Sequence, residues 1–177
     1  MSDRVPCPAL GPGDVVQDQP LGKLDAAARL AVAGHAAGHP HWDGVILLPG
    51  VRSHWVHLSA GEIVSFQSFL TVRLARALDA GERADAEALA DTMARPERLA
   101  QHLDSAELGG NRDALLGHLL GAEMAAARPY WLGQQVVVMA DETLAEGYAA
   151  ALEAKGVPVE RVGRAAMEDA GRKALGA

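Results

Sequence analysis

The chain has one cysteine in 177 residues, so no internal disulfide and no CxxC metal site can form. Cys7 lies in a proline-rich stretch without a neighbouring base to activate it. Aromatic residues make up 4% of the sequence, which leaves its core to aliphatic and alanine packing. Basic runs are also missing. Acidic residues outnumber basic ones and the net charge is −7, which argues against a nucleic-acid binder, because such a protein gathers Lys and Arg on one face. No apolar run approaches the ~18 residues that span a bilayer. The first residues lack a basic stretch followed by an apolar one, so a cytoplasmic, membrane-free protein is expected.

What is present is a hydrophobic fraction of 49%, much of it alanine. Alanine loses least on entering a helix, so the composition leans helical. Residues 1–20 hold Pro6, Pro8, Pro12 and Pro20 together with Gly11 and Gly13. This stretch reads as an irregular Pro/Gly-rich arm, and residues 21–177 as a single α/β domain. Leu24, Ala28, Ala31 and Val32 have helical spacing, which predicts a helix over 21–38, stopped by His39-Pro40-His41.

The run Val45-Ile46-Leu47-Leu48, closed by Pro49-Gly50, suits a strand buried on both faces. Residues 54–58 and 62–70 alternate and are separated by Ser59-Ala60-Gly61, so 44–70 reads as a three-stranded antiparallel meander. Helices are expected over 71–80, 84–93, 96–108 and 112–128. Pro96 suits a first helical turn, and Asn111 is a candidate cap. The chain ends with a strand at 135–140, a helix at 142–155 closed by Gly156, a strand at 157–162 and a helix at 164–175. Three antiparallel strands followed by two helix-linked strands give a mixed five-stranded sheet with inserted helices. That is the ribonuclease-H-like half-unit of the actin, hexokinase and sugar-kinase architecture.

The loop between the first two strands of this unit carries the most chemistry. Gly50 has no Cβ to hold a ligand away from the backbone. Amides near residues 50–53 and the Ser53 hydroxyl can form an anion-binding concavity, and Arg52 can add a charge-assisted contact. A plain Pro-Gly hairpin turn with a solvated Arg52 fits the same residues. Elsewhere, His35, His39, His41, His54 and His57 match no strong zinc pattern, so no metal ligand is assigned. Glu123 lies beside the apolar stripe of its helix, either as a buried paired carboxylate or on the nucleotide side. Asp85, Glu87 and Asp91 read as a solvated helix face. Ser65, His57 and Asp43 lack the nucleophile-elbow signature of a hydrolase.

The order Leu48-Pro49-Gly50, Ser53, Trp55-Val56, Gly61, Ile63, Ser65-Phe66, Phe69, Thr71 resembles the second half of the 2-dehydro-3-deoxygalactonokinase family. Arg95-Pro96-Glu97-Arg98-Leu99, Leu120-Gly121-Ala122-Glu123, Ala127-Arg128-Pro129-Tyr130-Trp131-Leu132-Gly133 and Gly156-Val157-Pro158 are similar to later family segments. The resemblance implies an ATP- and Mg2+-dependent sugar-acid kinase acting on 2-dehydro-3-deoxy-D-galactonate. By the same resemblance, Gly50, Arg52, Ser53 and His54 would meet phosphate. Thr71 and Arg73 would border the cleft, and Gly121, Glu123 and Ala140 would lie toward the nucleotide. Several polar positions depart from the family pattern. Val51 and His54 stand where the family has threonine and lysine, Val72-Arg73 stands for Gly-Glu, and Ala140 for glycine. The family's amino-terminal half, with its Asp-x-Gly-Thr loop, has no counterpart here. Two readings therefore stand side by side. One is a kinase domain completed by a separately encoded first half. The other is a catalytically inactive remnant that acts as a binding or self-associating module.

Overall fold

Alternation and apolar runs place the central strands. The structure, a computed structural model, describes residues 2–140 and 143–176. The main sheet holds β2 (Cys7–Pro8), β5 (Asp43–Leu48), β6 (Ser53–Ser59), β7 (Glu62–Phe69), β8 (Val136–Met139) and β9 (Val159–Val162) in the order β2-β7-β6-β5-β8-β9. From β2 to β5 the pairing is antiparallel, and β5, β8 and β9 are parallel. Ile46 sits opposite Val56 on one side and Val137 on the other. The strand β5 is therefore central, as its unbroken apolar run requires.

Two expectations are corrected. The sheet has six strands rather than five, because Cys7 and Pro8 pair with Ile63 and Glu62 at its edge. Residues 2–20, expected as part of an irregular arm, are not irregular: β1 (Ser2–Arg4), β3 (Asp14–Asp18) and β4 (Leu21–Leu24) form a second sheet in the order β1-β3-β4. The prolines are compatible with this because Pro6, Pro12 and Pro20 fall between strands, and Pro8 ends a two-residue edge strand. The turns around Pro8–Pro12 find their partners in Arg29, which is 1% exposed. Its guanidinium donates to the carbonyls of Ala9, Pro12 and Pro8 at 3.1, 3.0 and 2.9 Å and meets Asp3 at 2.8 Å. Gln17 ties the small sheet to the large one. Its side chain donates to the Phe66 carbonyl and accepts from the Phe66 amide, both at 2.9 Å.

The helix expected over 21–38 is the shorter α1 (Ala26–Gly38), because Leu21–Leu24 is a strand and Asp25 caps the helix by accepting from the Ala28 amide at 2.8 Å. The other helices are α2 (Thr71–Ala77), α3 (Ala86–Ala94), α4 (Leu99–Leu108), α5 (Arg112–Ala126), α6 (Arg128–Trp131), α7 (Thr143–Glu153) and α8 (Arg164–Gly176), with a 3-10 turn at Pro96–Arg98. Met1 and Glu142, the expected starts of the arm and of a late helix, lie outside the described residues.

The sheet is covered on both faces. One side packs Ile46, Leu48, Val56 and Phe66 against Ala28, Ala31 and Val32 of α1. The other packs Val45, Leu47, Trp55 and Val138 against Leu116, Leu120 and Met124 of α5 and Tyr148 and Leu152 of α7. Close approach between helices depends on missing side chains. A Cβ on Gly34 of α1 would lie 2.0 Å from the Met167 carbonyl oxygen of α8, and one on Gly171 would lie 2.0 Å from that of Leu30. Gly117 and Gly121 of α5 face the Asp85 and Leu89 carbonyls in the same way, at 2.4 and 2.3 Å.

Gly34→Ala is expected to lower the unfolding free energy by about 1–3 kcal/mol, since a methyl group has no room at the α1–α8 contact. A Cβ at Gly38 meets nothing within 4 Å, so Gly38→Ala is expected to leave stability unchanged or higher. Urea midpoints of the two variants check this pair.

Candidate functional site

Ligands of open α/β sheets settle outside the carboxyl ends of the parallel strands. Here β5 runs out into Pro49-Gly50-Val51-Arg52, and β9 runs out into Gly163 and Arg164. These ends meet: a Cβ on Gly50 would lie 3.6 Å from Arg164 Nη1 and 3.4 Å from the Arg52 carbonyl oxygen. Next to the loop, between the small sheet and β6, a cleft of about 520 Å³ is lined by Gln17, Leu21, Lys23, Asp25, Arg52 and His54, among others.

The cations at this end are not equally available. Lys23 is held by Asp14 at 2.6 Å, and Arg164 Nε donates to Glu168 at 2.9 Å. Arg52 is exposed and has no ion pair among the described residues. His54 is buried in the cleft wall, with Nδ1 2.8 Å from Ser68 Oγ. Burial, with Arg52 and Arg164 nearby, pushes its pKa down from 6.5 to about 4, and Asp25 opposes the shift. His54 is therefore a neutral hydrogen-bonding group at pH 7 rather than a charge.

Beneath the loop lies a second, dry cluster. Glu123 of α5 is 2% exposed. Its Oε1 accepts from Trp55 Nε1 at 2.8 Å, and its Oε2 accepts from Tyr148 at 2.8 Å and Ser53 at 3.2 Å. Thr71 completes the set of donors. Burial raises the Glu123 pKa, the four donors pull it back, and burial dominates. The Tyr148 hydroxyl is driven well above its ordinary range by burial and the neighbouring carboxylate. One side chain thus joins β6, α2, α5 and α7.

The residues singled out from the sequence fall into separate places. Arg52 and His54 line the cleft, and Gly50 lies in the adjoining loop. Ser53, Thr71 and Glu123 meet in the buried cluster, where the Ser53 side chain is 0% exposed and also lies 3.2 Å from the Tyr148 hydroxyl. Arg73 is exposed on α2, Gly121 packs on Leu89, and Ala140 follows β8 against the core. Lys23, Asp25, Gln17 and Arg164 were not anticipated. Only Asp25 carried a local signal, as a cap before an alanine-rich run. Among the described residues no group of three His, Cys, Asp or Glu is arranged to hold a metal ion. Ser65 and His57 are cross-strand partners, but the Asp43 carboxylate accepts from the Ala60 amide at 3.2 Å and completes no triad.

The family model for 2-keto-3-deoxy-galactonokinase matches residues 30–83 and 72–175. A crystal structure of a proposed 2-dehydro-3-deoxygalactonokinase from Sinorhizobium meliloti superposes with a TM-score of 0.79 at 23% identity, covering 92% of this chain. The chain spans 63% of the length of that protein, and at this identity the likeness establishes the fold. No curated protein matches the chain.

The depressed His54 pKa makes a signed prediction. Folding favours the neutral ring, so its stabilising contribution is complete above pH 6.5 and is lost as the pH falls through about 4. The loss amounts to roughly 3 kcal/mol by pH 4. In urea unfolding at pH 7.5 and pH 4.5, His54→Asn should lose less stability over the interval than the parent chain. Equal losses would show that the ring does not titrate in this window.

Proposed function

Because the chain belongs to the 2-keto-3-deoxy-galactonokinase family, we propose that its cleft serves the ATP-dependent phosphorylation of a sugar acid, 2-dehydro-3-deoxy-D-galactonate. On this reading the mixed α/β domain is the ribonuclease-H-like half of a sugar kinase, located in the cytoplasm. A second domain, from further chain or from a separate polypeptide, forms the opposite wall. Among the described residues no helix is long and apolar enough to cross a membrane.

The observation that carries the proposal is the meeting of the β5 and β9 exits at Gly50 and Arg164, with unpaired Arg52 beside them. Phosphoryl transfer depends mainly on positioning and on neutralising developing charge. Arg52 supplies a fixed charge for an anionic oxygen, and neutral His54 offers a hydrogen bond without adding charge. The Ser53 backbone, anchored through its side chain to Glu123, fixes where the loop ends. ATP supplies the phosphoryl group, and a Mg2+ ion carried with it balances phosphate charge. Asp18 and Asp25 are the carboxylates lining the cleft.

A second reading rests on the pairing of Lys23 and Arg164 with Asp14 and Glu168, which leaves Arg52 to act with little help. A domain so equipped binds anions weakly and functions as an inactive binding or self-associating module.

An ADP-release assay with ATP, Mg2+ and the sugar acid, run with the second domain present, separates the readings. The kinase reading predicts ADP release that depends on the sugar acid and falls about ten- to a hundredfold in Arg52→Ala, the effect of losing one charge-assisted contact. Release no greater than with a heat-inactivated sample, with only weak ATP binding in calorimetry and self-association in light scattering, favours the module. Absence of both turnover and ATP binding overturns the assignment of this cleft.

A further inference from the structure

On the face of the main sheet that turns Val45, Leu47 and Trp55 into the core, one cross-strand row becomes polar. Val45 of β5 sits opposite His57 of β6, and His57 sits opposite Ser65 of β7. Side chains of one such row share a face. The neighbouring row of Leu47 and Trp55 is sealed by α5, with Trp55 bonded to Glu123. The row of His57 and Ser65 instead meets α6 and the turn after it, which supply Pro129, Tyr130 and Gln134. A pocket of about 230 Å³ remains among these residues. Successive residues of a strand point to opposite faces, so His57 lies across β6 from His54. The sheet itself therefore separates this pocket from the cleft.

The polar groups of this pocket have bonding capacity to spare. The Tyr130 hydroxyl donates to Ser65 Oγ at 3.3 Å, which leaves the Ser65 hydrogen uncommitted. The His57 ring and the Gln134 side-chain amide hold no hydrogen bond among the described residues. Burial raises the Tyr130 pKa, so that hydroxyl keeps its proton. An imidazole, a hydroxyl and a carboxamide each both donate and accept. None of the described residues lining the pocket is Asp, Glu, Lys or Arg, so neither an anion nor a cation finds a counter-charge there.

Hydroxyl groups on a ligand match such a lining, because each of them also donates and accepts through one atom. Val45, Pro129 and the Tyr130 ring offer an apolar wall for the C–H side of a ring. Sites for drug-sized ligands run to ~300–1,000 Å³. This pocket is smaller and has room for a single ring rather than a nucleotide. We propose that the pocket between the Val45–His57–Ser65 row and α6 binds a neutral polyhydroxylated ring, a monosaccharide, as a second ligand site on the far side of the sheet from the cleft.

Amide and histidine-ring NMR of the full chain, titrated with D-glucose and in parallel with D-galactose, tests this. D-Gluconate serves as the charged counterpart and adenosine as a flat heterocycle. At least one of the two sugars should give saturable shifts at His57, Ser65, Tyr130 and Gln134, with none at Gln17, Lys23 or Arg52. Gluconate and adenosine should bind these positions about tenfold more weakly or worse. Tyr130→Phe, which keeps the ring and removes the hydroxyl, should weaken the sugar about tenfold. Ser65→Val, whose branched side chain suits a strand and fills the pocket, should abolish binding, with urea midpoints showing that both variants stay folded. No saturable shift with either sugar, binding of gluconate or adenosine as tight as that of the sugars, shifts confined to the cleft, or full affinity in folded Tyr130→Phe overturns the site.

Discussion

One buried carboxylate holds together the parts of this molecule that surround its cleft. Glu123 meets donors from β6, α2 and α7 in a space closed to water. Leaving such donors without an acceptor costs more than the net value of each bond. The arrangement is therefore all or nothing: the start of β6, the start of α2 and the middle of α7 keep their relative positions while Glu123 is there. The loop that carries Gly50 and Arg52 begins from β5 and ends on Ser53, so its far end is fixed by the same group.

The rest of the fold brings helices close enough for that carboxylate to reach its donors. The strand β5 is apolar on both faces and needs a helical layer on each. On one side Gly34 and Gly171 let α1 and α8 touch through their backbones, and on the other Gly117 and Gly121 let α5 lie against α3. A sequence rich in alanine and poor in aromatics reaches a dense interior this way, by shortening distances between helix axes rather than by filling them. The small sheet is attached differently, through the buried guanidinium of Arg29 and the amide of Gln17. It forms the outer wall of the cleft, so these two polar side chains decide whether the cleft has a second side.

Much of the main sheet was legible in the sequence because its signals are local. An unbroken apolar run marks the doubly covered β5, and alternation marks β6 and β7. The opening residues were not legible. Strands of two to five residues carry little periodicity, and their stability comes from Arg29 and Gln17, whose partners include Phe66, 49 residues from Gln17. The cleft was legible only in part for the same reason. Arg52 stands out in a loop, but Lys23 joins it at the cleft, and Arg164 reaches the adjoining Gly50, only through topology. Glu123 reads as a buried carboxylate from its place beside an apolar stripe, whereas its bonds to Ser53 and Trp55 span 70 and 68 residues and leave no local trace.

A double-mutant cycle between Glu123→Leu and Trp55→Phe, read by urea unfolding at pH 7, addresses the organising role of the carboxylate most directly. The account predicts a coupling energy of about 1–3 kcal/mol, because each single change strands the partner of the group it removes. Additive effects within ~0.5 kcal/mol would contradict it and leave the cluster as four independent contacts.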